Sequence, residues 1–314
     1  MDSMLSLNSR PMYSKAVSNS DPGRGRSCPS VEDFEGYILD LDGTVYRGDK
    51  LIPGAREAIM GLRAMGKRVV FLSNKPIQSR QEYAAKLTKL GIPTPADDVV
   101  NSSLVMARYL ADCAPGCRAY VIGEMALVHE LRAAGVEVVE DPTTLGAHVD
   151  YVVIAFDRTF TYAKLNHALQ AVRYGARLVA TNADRTCPVE GGEIPDAAGM
   201  IGAIEGTTGL KVELVVGKPN PMMLQTALGR LGLGRDQCLV VGDRLETDIL
   251  MGKKAQMATA LVLTGVTRRE DLSRSAIQPD YVLDSIAALP CRRREWKEGF
   301  CSRGWESGGA DGRL

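Results

Sequence analysis

Four short apolar runs in this sequence each break off at a polar signal. Tyr37-Ile-Leu-Asp40 runs into Asp42, Arg68-Val-Val-Phe-Leu-Ser73 into Asn74, Glu213-Leu-Val-Val216 into Lys218, and Cys238-Leu-Val-Val241 into Asp243. Apolar runs this short, bounded by polar residues and glycine, read as buried strands. Between them lie segments of helical spacing. Residues 56–64 carry Ile59 and Leu62 and stop at Gly66, and Ser79 with Glu82 three residues on forms a capping box that opens the next helix. The alternation continues, with strands expected at 119–122, 136–139, 151–155, 177–181, 213–216, 237–241, 259–263 and 281–283. Helices are expected at 104–111, 126–134, 162–174, 197–205, 221–231 and 247–254. Repeated strand–helix–strand units predict an α/β fold with a doubly wound, Rossmann-like parallel sheet covered on both faces.

The chain has 314 residues, room for more than one unit of roughly 100–200 residues each. Its 38 Lys and Arg balance 38 Asp and Glu. A zero net charge gives no electrostatic pull toward nucleic acid or an anionic membrane, and neither is expected as a partner. No apolar run approaches the roughly 20 residues of a membrane span. Residues 1–32 are Ser-rich with scattered charge and no apolar core of a secretory signal, which predicts a disordered extension and a cytoplasmic protein. Residues 291–314 are polar and glycine-rich, the composition of a disordered tail, with Trp296, Phe300 and Trp305 as its unexplained aromatics. The cysteines are odd in number and scattered, which fits reduced thiols, and Cys113 and Cys117 have no second pair at zinc-site spacing.

The polar signals carry the chemistry. In doubly wound sheets ligands bind beyond the carboxyl ends of the strands. Asp40 and Asp42 stand there, and residues two apart on an extended segment point the same way. Like charges that close are costly unless a cation joins them or one is protonated. Mg²⁺ suits such a site, since it takes oxygen ligands. Ser73 and Asn74 offer a hydroxyl and an amide to phosphoryl oxygens. Lys218 offers a cation, with Pro219 suited to open the following helix. Asp243 and Asp248 add two carboxylates. Each signal alone has a bland reading: a turn, a surface lysine, a helix cap. All four at strand ends of one sheet predict a phosphoryl-transfer site with an aspartyl nucleophile, a metal and a cationic clamp.

These motifs, in this order, resemble those of the haloacid dehalogenase superfamily. The stretch from about Gly36 to Ala288 resembles its NagD-like subfamily, and within that the AraL type of sugar phosphatase. The likeness is carried by Asp40-Leu-Asp-Gly-Thr-Val-Tyr-Arg-Gly48, Leu51-Ile-Pro-Gly-Ala-Arg-Glu-Ala-Ile59, Asp196-Ala-Ala-Gly-Met-Ile-Gly-Ala-Ile-Glu205 and Leu261-Val-Leu-Thr-Gly265. The resemblance implies a catalytic core at 33–90 and 196–290, with an inserted α/β cap of the C2 type at 91–195. It implies Asp40 as nucleophile and Asp42 as the acid that protonates the leaving alcohol and then deprotonates water. Mg²⁺ would be held by Asp40, the backbone carbonyl of Asp42, and Asp243, with Asp248 orienting waters. Ser73 would bind phosphoryl oxygens, Asn74 would shape the site, and Lys218 would orient Asp40. Asn182 and Asp184, at the return from cap to core, are candidates for substrate contact, with a turn as the equal alternative. Lys75-Pro76 departs from a pattern that varies among relatives and bears on specificity. Such caps also support homodimers in the family.

The reading is therefore a Mg²⁺-dependent phosphatase of small phosphomonoesters, with sugar phosphates foremost. Phosphoglycolate, glycerol phosphate and nucleotide monophosphates stand as alternative substrates. A dehalogenase does not need Asp42, and a receiver domain lacks a cap-sized insertion. A catalytically silent metal- or phosphate-binding regulator is the reading from another class. The three histidines, His129, His148 and His167, all fall in the expected cap and leave a Ser-His-Asp site without support.

Overall fold

The computed structural model describes residues 30–143, 148–189 and 191–289. The two terminal segments, and with them the tail aromatics, lie outside the described residues apart from Ser30–Glu32. A six-stranded sheet runs in the order Tyr281–Leu283, Ala258–Val262, Cys238–Gly242, Gly36–Asp40, Arg68–Ser73, Val99–Asn101. Every pairing in it is parallel. The central strand shows why both faces need cover. Tyr37 and Leu39 pack on one side with Ile59 and Leu62 of the helix Ala55–Ala64 and with Tyr83 and Leu87 of the helix Arg80–Lys89. Ile38 packs on the other side with Leu224 and Ala227 of the helix Met222–Leu231. Alternation along a strand with both faces buried is the pattern of a doubly wound sheet.

A second sheet of five strands runs Leu214–Val215, Arg177–Ala180, Tyr151–Ile154, Arg118–Ile122, Glu137–Val139, again wholly parallel. The helices Tyr162–Arg173 and Ala197–Thr208 cover one of its faces through Ala168, Ala171, Met200 and Ile204. Its other face joins a continuous apolar cluster with the helix Ser102–Cys113 and the first sheet. Sheet membership does not change at 91 and 195, where the cap was expected to begin and end. Val99–Asn101 extends the first sheet, and both the helix Ala197–Thr208 and Leu214–Val215 belong to the second layer. The two exchange strands are three and two residues long, too short to announce their partner sheet. A hairpin of Thr186–Val189 and Gly192–Pro195, not foreseen from the sequence, follows the second sheet's strand Arg177–Ala180.

Candidate active site

The order of the first sheet reverses between Gly36–Asp40 and Cys238–Gly242: from the first the chain steps outward to Arg68–Ser73, from the second outward the other way to Ala258–Val262. Such a switch point opens a crevice at the carboxyl ends of the strands. Asp40 is the last residue of the one strand, and Asp243 follows the other. Asp248 sits in a widened helical turn, in which the Ile249 N–H returns to the Arg244 carbonyl five residues back. Carboxylate oxygens of Asp40, Asp243 and Asp248 all lie within 4.8 Å of one another, and all three residues are buried.

The cation in this cluster arrives from the other sheet. All four polar signals were expected in one sheet, but the short strand before Lys218 pairs with Arg177–Ala180 of the second. The Lys218 ammonium donates to Asp40 Oδ1 and, at 2.7 Å, to Asp248 Oδ1. Burial works to depress its pKa, but Asp248 and Asp40 outweigh that and hold it protonated. Three carboxylates against one ammonium leave excess negative charge. Burial accordingly raises the Asp40 pKa well above the carboxylate range; Lys218 opposes the rise, and Asp248 and Asp243 add to it. Asp243 is pushed up to about 6, first by burial and then by Asp248, against the Val266 N–H that donates to it at 2.7 Å. A purely oxygen donor set with surplus negative charge fits a divalent cation such as Mg²⁺.

Two glycines make room for these carboxylates. A Cβ on Gly265 would lie 1.7 Å from Asp243 Oδ2, so no side chain fits there. Gly43, at φ +89°, turns the chain sharply after Asp42. That turn corrects one expectation. The strand ends at Asp40, and Val45 and Tyr46 N–H groups return to the Leu41 carbonyl, so strand alternation does not carry to Asp42. The Asp42 carboxylate stands apart from the three-acid cluster and pairs with the Lys75 ammonium at 3.2 Å. The metal role implied for Asp42 belongs to its backbone carbonyl, which this leaves untouched.

Ser73, at the end of its strand, donates to the Tyr83 hydroxyl at 3.0 Å and accepts the Lys75 N–H at 3.2 Å. Asn74 is a brace. Its Oδ1 accepts the Lys218 N–H at 2.7 Å, and its Nδ2 donates to the Lys218 carbonyl and, at 2.8 Å, to Asp184. Asn182 donates to Asp184 at 3.0 Å and to Asp196 at 2.9 Å. Asp184 thus joins Asn74 to Asn182, and Asn74 holds the main chain of Lys218 in place. From sequence Lys75 bears only on specificity, as part of Lys75-Pro76, and Tyr83 is not a site residue at all. Tyr83 looks like an ordinary core position of an amphipathic helix, and the Lys75 pairing spans 33 residues of sequence. Away from the cluster, His148 pairs with Asp150, and His167 meets Tyr120 edge-on.

A family model described as haloacid dehalogenase-like hydrolase matches residues 37–137, and a second model of HAD-like hydrolases matches residues 215–289. The sugar-phosphatase AraL of Bacillus subtilis is 48% identical over 251 residues, covering 80% of this chain and 90% of that protein. The chain belongs to the haloacid dehalogenase-like hydrolases. It is a NagD-like member and a phosphoric monoester hydrolase. Among solved structures, this HAD phosphatase superposes on a 4-nitrophenylphosphatase from Thermotoga maritima with a TM-score of 0.77 at 37% identity, covering 82% of this chain and 97% of that one. A glycerol phosphate phosphatase from Mycobacterium tuberculosis, in complex with magnesium, gives 0.77 at 34% identity, covering 82% of this chain and 77% of that one. No helix among the described residues is long and apolar enough to cross a membrane.

Proposed function

We propose that this phosphatase hydrolyses small phosphomonoesters, sugar phosphates foremost, in a Mg²⁺-dependent reaction through a phosphoaspartate on Asp40. The observation that carries the reading is the buried cluster of Asp40, Asp243 and Asp248 at the sheet's switch point, with a single lysine bonded to Asp40 and Asp248. An Asp40 carboxylate oxygen attacks phosphorus, and the bond from phosphorus to the ester oxygen breaks. Asp42 gives its proton to the departing alkoxide. A water then attacks the phosphoaspartate, Asp42 takes its proton, and inorganic phosphate leaves with the Asp40 carboxylate restored. Lys218 holds Asp40 in a single orientation and offsets its charge. Asp40 and Asp243, with the backbone carbonyl of Asp42, would hold the magnesium ion, Asp248 would orient its waters, and the ion would offset the charge of the carboxylates and phosphoryl oxygens.

The sugar-phosphate reading rests on the AraL likeness, and the glycerol phosphate phosphatase neighbour keeps glycerol phosphate beside it. Phosphoglycolate and nucleotide monophosphates are the other esters to be compared. We place the protein in the cytoplasm, in keeping with the free thiols of Cys113, Cys117, Cys187 and Cys238, and expect a homodimer. The test is phosphate release from a panel of esters, with and without Mg²⁺, for wild type and Asp40→Asn. Activity that requires both the metal and Asp40 supports the reading. Absence of turnover by folded wild type would turn it toward a silent metal- or phosphate-binding protein.

A further inference from the structure

The second sheet aims at the same crevice as the first. Its strand Arg177–Ala180 runs into Asn182 and Asp184, which reach Asn74, and its strand Leu214–Val215 runs into Lys218, which reaches Asp40. Because that sheet is wholly parallel, the strands Arg118–Ile122 and Tyr151–Ile154 end on the same edge. Beyond their ends stand Glu124 and Arg158, paired through two bonds of 2.7 Å. Across the crevice Lys75 pairs with Asp42 at 3.2 Å. Its backbone is fixed on both sides, by its N–H to Ser73 Oγ at 3.2 Å and by its carbonyl to the Tyr83 hydroxyl at 3.3 Å. On the same rim Asp184 faces Arg244 at 3.7 Å.

Each of these charges has an opposite partner, so the rim carries donors and acceptors without a net charge. An anionic leaving group would have to break an existing pair to gain a cation. A neutral alcohol with several hydroxyls can accept from an ammonium and donate to the neighbouring carboxylate without breaking it. Asp42 must meet the ester oxygen to protonate it, and Lys75 lies one hydrogen-bond length further on. We propose that Lys75 is a specificity-determining residue, which with Asp42 binds the hydroxyls next to the ester oxygen of a neutral, polyhydroxylated leaving group. The proposal rests on the phosphatase reading above, with Asp42 beside the leaving oxygen, and it selects among that reading's substrates.

The test compares esters of primary alcohols that differ in their further groups: propyl phosphate with none, glycerol 3-phosphate and a hexose 6-phosphate with hydroxyls, and phosphoglycolate with a carboxylate. Wild type is expected to favour the two hydroxylated esters over propyl phosphate and over phosphoglycolate by about tenfold or more in kcat/KM, the worth of one hydrogen bond to a charged group. Lys75→Met is expected to remove most of that preference, and Lys75→Arg to keep part of it. If Lys75→Met lowers propyl phosphate and the hydroxylated esters equally, Lys75 acts only by positioning Asp42 and the proposal is overturned. A wild-type preference for phosphoglycolate overturns it too, and this arm stands even if the variant does not fold. The proposed mechanism fails separately, if Asp40→Asn retains turnover of all four esters.

Discussion

The two sheets present their carboxyl edges to one crevice but dress them differently. The edge of the first sheet is buried and unbalanced. Asp40, Asp243 and Asp248 are at most 6% exposed, and the one ammonium among them, on a residue 7% exposed, bonds Asp40 and Asp248 alone. Away from Lys218 and Asn182, the edge of the second sheet is open and balanced, with the Arg158 side chain 54% exposed and paired to Glu124. Buried surplus charge destabilises a fold unless a cation, a proton or a substrate is to relieve it, so it marks where chemistry happens. Exposed paired charge costs little and adds little to stability, so it is free to vary with the ligand it meets. The difference separates a buried reaction centre from an open, charge-paired rim within one crevice.

The sharpest break of this comparison is Asp40→Asn, expected to lower kcat by about 10⁴-fold or more for every ester, as removing a nucleophile does. Metal-free Asp40→Asn should melt no lower than wild type, because one of three crowded carboxylates is gone. A lower melting temperature by differential scanning calorimetry would show that the cluster is not under charge strain.

Lys218→Met ranks next. It strands Asp40 and Asp248 without their ammonium, and removing one partner of a buried pair costs about 3–5 kcal/mol, read from urea unfolding without metal. By contrast Glu124→Gln, on the open edge, should change stability by less than about 1 kcal/mol and show itself in KM. Equal losses at the two positions would erase the contrast between the two edges.

The pH dependence sharpens the comparison more gently. Asp243 titrates at about 6 in the fold, against about 3.9 for an unperturbed aspartate. A raised folded pKa means the folded state binds the proton more tightly. That contribution to stability is complete below the unfolded value and lost as pH rises through about 6. Mg²⁺ relieves the ionised cluster, so it should raise the melting temperature more at pH 8 than at pH 5, and the difference should shrink in Asp243→Asn. A shift independent of pH would contradict the charge surplus.

Much of the first edge was legible in sequence. Apolar runs that stop at Asp40, Ser73 and Asp243 announce strand ends, and strand ends of a doubly wound sheet announce a crevice. Less was legible where geometry is decided at a distance. Asp42 was expected beside Asp40, but strand periodicity lapses once Gly43 bends the chain. Lys218 was assigned to the first sheet because Leu214–Val215 looks like any buried strand, and only pairing tells which sheet it joins. Asn74 was read as facing substrate, and its bonds to the Lys218 main chain span 144 residues that no local pattern connects. The second edge was the least legible, since Glu124 and Arg158 look like ordinary surface charges until the fold opposes them.

The phosphoaspartate on Asp40 is tested most directly with Asp42→Asn and 4-nitrophenyl phosphate, whose leaving group needs no acid but whose phosphoenzyme then lacks its base. Rapid mixing should show a burst of nitrophenolate equal to the enzyme, followed by slow turnover, and mass spectrometry of quenched protein should place one phosphoryl group on Asp40. Turnover with no burst and no phosphorylated Asp40 would mean that water attacks the ester directly, and Asp40 would not be the nucleophile.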